Sequence, residues 1–467
     1  MEKRVENTKT GNLKKEMLIA LVTLSIPTII EEMLATLLQY VDTAMVGRLG
    51  ENATASVSVT TTVTWLINSI PSALSVAALS LIAKAVGSGN KEKIKQISSQ
   101  IFILAISCGL FVGCISMVLS PYIPAWMGAD DAIRRQASVY FFIISLPMVF
   151  RACNSILGAS IRATKDTRTP MLINLAANLT NVCLNYLFIY TLQLGVTGAA
   201  IASAISYALS GSCMFIAYRK NSLLCWEKKD IRLKGNLGTM KECVKISIPV
   251  LATNVASCFG YVVFASLVTG MGTTIFAAHS IAVTAETIFY IPGYGLRTAT
   301  SALVGISLGE GNHKKFETVG AISVALTMGM MVISGCILYF AAYPLMRLFT
   351  PSSQAAQIGA EMLKLVAFSE PFFGLMVVME GIFYGIGKPK YPFLVETFSM
   401  WGVRILMTTL CVKIFGLGLR EVWYCMIADN ICKAVLLSLP VLSSKFRKKL
   451  FSGNLPDNSC TEIESMI

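Results

Sequence analysis

The sequence predicts an all-α membrane protein with twelve transmembrane helices in two pseudo-symmetric six-helix lobes. Composition is the first sign: 54% of the 467 residues are hydrophobic and only 14% charged, with a mean hydropathy of +0.65. Soluble domains carry about a quarter charged residues, so this chain has too few to cover a surface in water. The second sign is the recurrence of apolar runs of about 20 residues, each long enough to cross about 30 Å of hydrocarbon. The third is an internal repeat that pairs six of these runs with the other six.

The runs fall at roughly 17–46, 55–83, 96–119, 136–158, 169–191, 196–218, 244–269, 277–306, 317–343, 360–384, 392–414 and 419–442. No period-2 pattern interrupts them, and only helices or closed barrels span a bilayer. The first run is too long for a secretion signal and holds Glu31 and Glu32, so it is expected to stay in the mature chain. The thirteen cysteines form no CxxC or disulfide spacing and read as small apolar core residues.

The repeat runs at an offset of 222 residues. Pro27 maps to Pro249 and Pro170 to Pro392, and Gly87, Gly89 and Asn90 fall on Gly309, Gly311 and Asn312. Six helices per half send both halves into the membrane in the same direction, related by an axis along its normal. The expected division is an N-terminal lobe over 1–222, a basic linker over 223–243, a C-terminal lobe over 244–445 and a polar tail over 446–467.

A net charge of +13 raises the question of nucleic acid, but its distribution answers it. Lys and Arg crowd the even-to-odd connections (Lys91, Lys93, Lys95; Arg162, Lys165, Arg168; Arg219 through Lys245) and are sparse in the others. By the positive-inside rule both termini and the linker are cytoplasmic. The charge sets topology and gives no reason to expect nucleic acid. The expected setting is the plasma membrane, with the lipid bilayer as the solvent partner.

Ionisable groups inside spans are costly, which makes them functional candidates. The first helix carries Thr28, Glu31, Ala35, Gln39 and Asp42 on one face; the fifth carries Asn174, Asn178, Asn181 and Asn185 at i, i+4, i+7 and i+11. Such amides need protein, water or an ion as partners, and can equally be glue between helices. A carboxylate among amide oxygens suits an alkali cation; out of water it could carry a proton instead. In the C-terminal half Glu286 is followed by Tyr290 and Arg297. An acid beside an aromatic suits an organic cation, and a Glu286–Arg297 ion pair is the alternative. Arg404 with Asp429 reads as a structural pair.

The segments VDTAMVGRLG (41–50), ATKDTRTP (163–170), NVCLNYLFIY (181–190), GVTGAAIAS (195–203), AAHSIAVTAETIFYIPGYG (277–295) and ALVGISLGEGN (302–312) together resemble the MATE (multidrug and toxic compound extrusion) family. The resemblance implies an antiporter that exports small organic, cationic compounds, drugs among them, by alternating access and in exchange for H+ or Na+. It singles out Asp42, Asn181, Asn185 and Ser203 as the cation-coupling site, with Asp42, Asn181 and Asn185 as the ligands if the ion is Na+. Glu286, Tyr290 and Gln39 are the expected substrate contacts. No cofactor beyond the coupling ion is expected, and the expected state is a monomer. Acids that one branch of the family carries in helices 7 and 10 are replaced here by Ser257 and Phe373.

Enzymatic readings are weak. GIGKPK (385–390) lacks the Walker A spacing. GISLG (305–309) fits GxSxG, but that chemistry needs a strand–turn–helix elbow, and this sits at the end of a transmembrane run. A flippase of lipid-linked sugars and an intramembrane transferase remain the rival classes; the intramembrane acids favour cationic cargo over the first.

Overall fold

The computed structural model describes residues 2–227 and 237–443, all of them in helices or short connections. Part of the expected linker, 228–236, and the tail 446–467 lie outside the described residues. The α-helices are α1 (Glu2–Gly47), α2 (Glu51–Gly87), α3 (Lys91–Leu119), α4 (Ile123–Trp126), α5 (Asp131–Ser145), α6 (Met148–Ala163), α7 (Arg168–Asn185) and α8 (Gly195–Lys220). After the linker come α9 (Leu237–Thr269), α10 (Thr273–Gly309), α11 (His313–Phe349), α12 (Ser353–Ala367), α13 (Glu370–Ile386), α14 (Lys390–Phe398), α15 (Leu406–Thr409) and α16 (Leu419–Leu442). Among the described residues three π-helical segments adjoin them, Tyr186–Thr191, Ser399–Ile405 and Leu410–Ile414. Large apolar side chains such as Phe111, Val118, Phe340 and Leu348 point outward, a surface that only hydrocarbon would solvate at no cost.

Among the described residues, ten helices are long and apolar enough to span a membrane on their own. The fourth and tenth expected spans are not single helices. Each is a bent pair, α5 with α6 at 49° and α12 with α13 at 57°. Pro147 precedes α6 and Pro371 opens α13; a ring with no N–H cannot continue the ladder of the preceding turn.

The repeat is visible in fine geometry. Asn90 and Asn312 cap α3 and α11, each accepting a 3.0 Å bond from the backbone N–H of Lys93 or Lys315. Lys165 takes a left-handed conformation at φ 67° where its counterpart, 387 − 165 = 222, is Gly387 at φ 71°. Further on the register slips. Gln193 at φ 51° corresponds to Gly416 at φ 60°, and 416 − 193 = 223. The π segment Ser399–Ile405, which has no counterpart in α7, accommodates the extra residue: a π turn holds one more residue than an α turn. The fixed offset of 222 read from the sequence therefore holds only as far as this segment.

Two compact units emerge. Ile30–Leu251 forms one, here the N-unit, and Met1–Ile29 with Ala252–Ile467 forms the other, the C-unit. The divisions run through α1 and α9, not through the linker, and they are themselves repeat-related, since 252 − 30 = 222. Each lies three residues beyond an intrahelical proline, Pro27 or Pro249. In the N-unit, small residues bring helices close: a Cβ on Gly211 of α8 would come within 2.3 Å of the Phe150 carbonyl oxygen of α6. In the C-unit, Leu21 and Leu24 of α1 join a core with Leu303, Val304, Val377 and Phe383, while Phe264, Leu338, Leu363 and Trp423 anchor a second.

Candidate functional site

Within the N-unit the two polar stripes meet in register. Glu31 accepts from the Asn174 amide, and eleven residues along each helix Asp42 accepts from the Asn185 amide. Eleven residues are about three turns, or roughly 16 Å of helix, so α1 and α7 run in the same direction with matched polar faces. Glu31 also takes a 2.6 Å ion pair from Arg162 of α6. Both bonds go to Glu31 Oε1, while Glu31 Oε2 and Arg162 Nε are buried without a partner.

The upper group is built of amides and a hydroxyl around Asp42. Asn185 Nδ2 donates both to Asp42 Oδ1 and, at 3.1 Å, to Asn181 Oδ1. Asn181 Nδ2 in turn donates to Ser203 Oγ at 3.3 Å. Asp42, Asn181, Asn185 and Ser203, from three helices, thus form one hydrogen-bonded chain. Asn185 is 0% exposed, yet its Oδ1 has no partner, a buried acceptor that costs free energy until something satisfies it. The π segment Tyr186–Thr191 begins at the next residue, and the Tyr190 hydroxyl ties it back to α1 through the Met45 carbonyl at 3.1 Å. Among the described residues no group of three or more His, Cys, Asp or Glu could hold a metal. The oxygens here are mainly amide and hydroxyl, which suits a weakly bound monovalent cation better than a resident metal.

The equivalent place in the C-unit has different chemistry. Asp42 corresponds to Phe264 (264 − 42 = 222), and beyond the π slip Asn185 and Ser203 correspond to Thr408 and Met426 (408 − 185 = 426 − 203 = 223). Arg404, from the π segment, places its guanidinium 5.7 Å from the Phe264 ring and pairs with Asp429 at 2.8 Å. Lys433 also binds Asp429, at 3.0 Å. A tethered cation lies where the N-unit has its acid.

The expected substrate contacts divide. Glu286 and Tyr290 are both on α10 of the C-unit, and the Tyr290 hydroxyl donates to the Glu286 carboxylate. The Tyr290 ring stacks on Phe373 with centroids 4.0 Å apart. Gln39 is exposed on α1 in the N-unit. Arg297 does not pair with Glu286; it binds Glu380 at 3.1 Å, with its guanidinium 4.9 Å over Tyr294. Ser307 of the GxSxG match is buried in α10 and donates to the Leu303 carbonyl one turn back, so no nucleophile elbow exists there.

Long apolar helices, two repeated units and ion pairs buried within them define a multi-pass membrane protein of the transporter class. The chain belongs to the MatE family: the family model matches residues 27–187 and again 249–410, once per repeat. It is 26% identical to the probable multidrug resistance protein NorM of Thermotoga maritima, over 92% of this chain and 93% of that protein. It is 25% identical to the probable multidrug resistance protein YpnP of Bacillus subtilis, over 86% and 88%. The fold matches the Vibrio cholerae MATE transporter VcmN in its bent form with a TM-score of 0.86 at 18% identity, over 95% of this chain and 99% of that one.

Proposed function

We propose that this chain exports small organic cations across the plasma membrane in exchange for a coupling cation, H+ or Na+, that binds at Asp42. The observation that carries this reading is the Asp42–Asn185–Asn181–Ser203 chain with its one unsatisfied buried oxygen. In the present arrangement the Asn185 amide nitrogen sits between two acceptor oxygens, those of Asp42 and Asn181. Turning that amide over would replace the donor by Oδ1 and create a group of oxygens ready for a cation. Binding and release then exchange an internally paired state for a cation-paired one, which is what a coupling site needs.

The direct test uses the purified protein in proteoliposomes loaded with a cationic dye. An inward-directed proton or sodium gradient should drive dye export, and each applied alone names the ion. Export that depends on neither would end the reading. The same vesicles examine Glu286: Glu286→Gln should slow cationic dyes several-fold more than neutral ones, because the charge and the Tyr290 face act on cations. Equal losses would make Glu286 structural.

Topology completes the proposal. The Lys and Arg bias supports cytoplasmic termini and linker, so a cysteine introduced at Lys229 should resist impermeant maleimide in intact cells and react after lysis. Labelling from outside would reverse the orientation.

A further inference from the structure

The register of the N-unit leaves one intramembrane cation unaccounted for. In the lower group Glu31 of α1, Arg162 of α6 and Asn174 of α7 meet. Eleven residues on, α1 brings Asp42 and α7 brings Asn185 to the upper group. Helix α6 belongs to the span before α7 and runs the opposite way, so its matching residue lies eleven earlier. That residue (162 − 11 = 151) is Arg151. Eleven residues are close to three whole turns, so Arg151 and Arg162 share one face of α6. Three helices thus repeat acid, amide and arginine at two levels.

The levels differ in what the arginine does. Arg162 holds Glu31 at 2.6 Å. Arg151 has no ion pair or hydrogen bond among the described residues; its guanidinium rests 4.4 Å from the centroid of the Tyr207 ring on α8. Tyr207 lies one turn beyond Ser203, where the hydrogen-bonded chain from Asp42 ends, so the two share a face of α8. The Tyr140 phenol of α5 feels the charges of both Asp42 and Arg151, and of Tyr207. The acid and the arginine therefore lie around one group, with Arg151 turned aside onto an aromatic ring.

The repeat supplies an internal control. Asp42 corresponds to Phe264 in the C-unit, and Arg151 to Phe373 (373 − 151 = 222). Acid and arginine are absent together there, and the bent span of the C-unit forms without the arginine. The guanidinium is thus not needed to make the bend. A cation–π contact holds a guanidinium more weakly than a carboxylate does. An ionised Asp42 that has lost its cation is costly inside the membrane unless another positive charge replaces it. A bound cation and a guanidinium on the same carboxylate repel one another.

We propose that Arg151 is the built-in competitor of the coupling cation. Resting on Tyr207, it leaves Asp42 open to the cation; swinging onto Asp42, it displaces that cation and neutralises the emptied site. The proposal rests on the reading of Asp42 as the coupling residue and adds how the cation is made to leave.

The test measures ethidium export from proteoliposomes while sodium and protons are titrated separately as the driving cation. Arg151→Gln should lower the half-saturating concentration of the driving cation several-fold and slow export at saturation several-fold, because binding is uncontested and release is slow. Arg151→Lys, which keeps the charge, should recover most of both. Tyr207→Leu removes the resting place and should shift the half-saturating concentration the other way, upward. A merely structural arginine moves these variants in one direction or not at all. A folded Arg151→Gln with unchanged cation dependence would overturn the proposal. Tyr207→Leu decides if that variant does not fold, since an unchanged or lowered half-saturating concentration there would overturn it equally. Failure of the Asp42 reading is separately visible, because Asp42→Asn would then leave export intact whatever Arg151 does.

Discussion

Asp42→Asn is expected to abolish export against a gradient while leaving a folded protein that still binds dye in detergent. The replacement keeps the size of the side chain and one acceptor oxygen for the Asn185 amide, so the chain to Asn181 and Ser203 can persist. What it removes is the charge. Each coupling charge that enters beyond those leaving with the exported cation releases about 2.3 kcal/mol per 100 mV; at roughly 150 mV that is about 3.5 kcal/mol, a substrate gradient of a few hundred-fold per uncompensated charge. Without a group that alternates between bound and free cation this drive is lost, and the dye gradient should fall to that set by leakage. The measurement is dye accumulation in proteoliposomes beside dye binding by fluorescence polarisation. Parent-level accumulation by a well-folded variant would place the coupling site elsewhere.

The largest effect on stability should come from Asp429→Ala. Asp429 is 0% exposed and is bound by both Arg404 and Lys433. Removing it leaves two cations facing each other in a dry interior, where loss of one member of a buried ion pair costs about 3–5 kcal/mol. Thermal unfolding of the detergent-solubilised protein should shift down sharply, or little folded protein should be recovered. Replacing Arg404 and Lys433 by leucine in the same chain should restore much of the loss, because an apolar cluster of similar volume is often as stable as the ion pairs it replaces. A single variant that melts within about 1 kcal/mol of the parent would show that these cations have other partners.

Much of this architecture was legible in the sequence because its signals are long. Hydropathy located the spans, and Pro27, Pro249, Pro170 and Pro392 revealed the repeat. The asparagine stripe at i, i+4, i+7 and i+11 could be read as one face of a helix, but its partners could not: Glu31 meets Arg162 across 131 residues of sequence, and nothing local encodes that. Arg162 was legible only as loop-end charge. Lys433 was within reach, since it lies one turn after Asp429. The π slip at Ser399–Ile405 was not, because a π turn uses the same residue types as an α turn and announces itself only when later landmarks shift. The breaks at Pro147 and before Pro371 were readable in principle; run length alone had joined their halves into single spans.

The division of α1 and α9 has a consequence for how such a chain could have arisen. If an ancestral half was copied and joined to itself, the two copies did not stay separate: each unit borrows the opening stretch of a helix from the other copy, cut at the same repeat position, 29/30 and 251/252. Leu21 and Leu24 belong by inheritance to the first copy but by packing to the second. Neither copy is then a complete folding unit by itself. Once fused and exchanged in this way, the halves were free to diverge in chemistry, acid in one and tethered cation in the other, without being free to part.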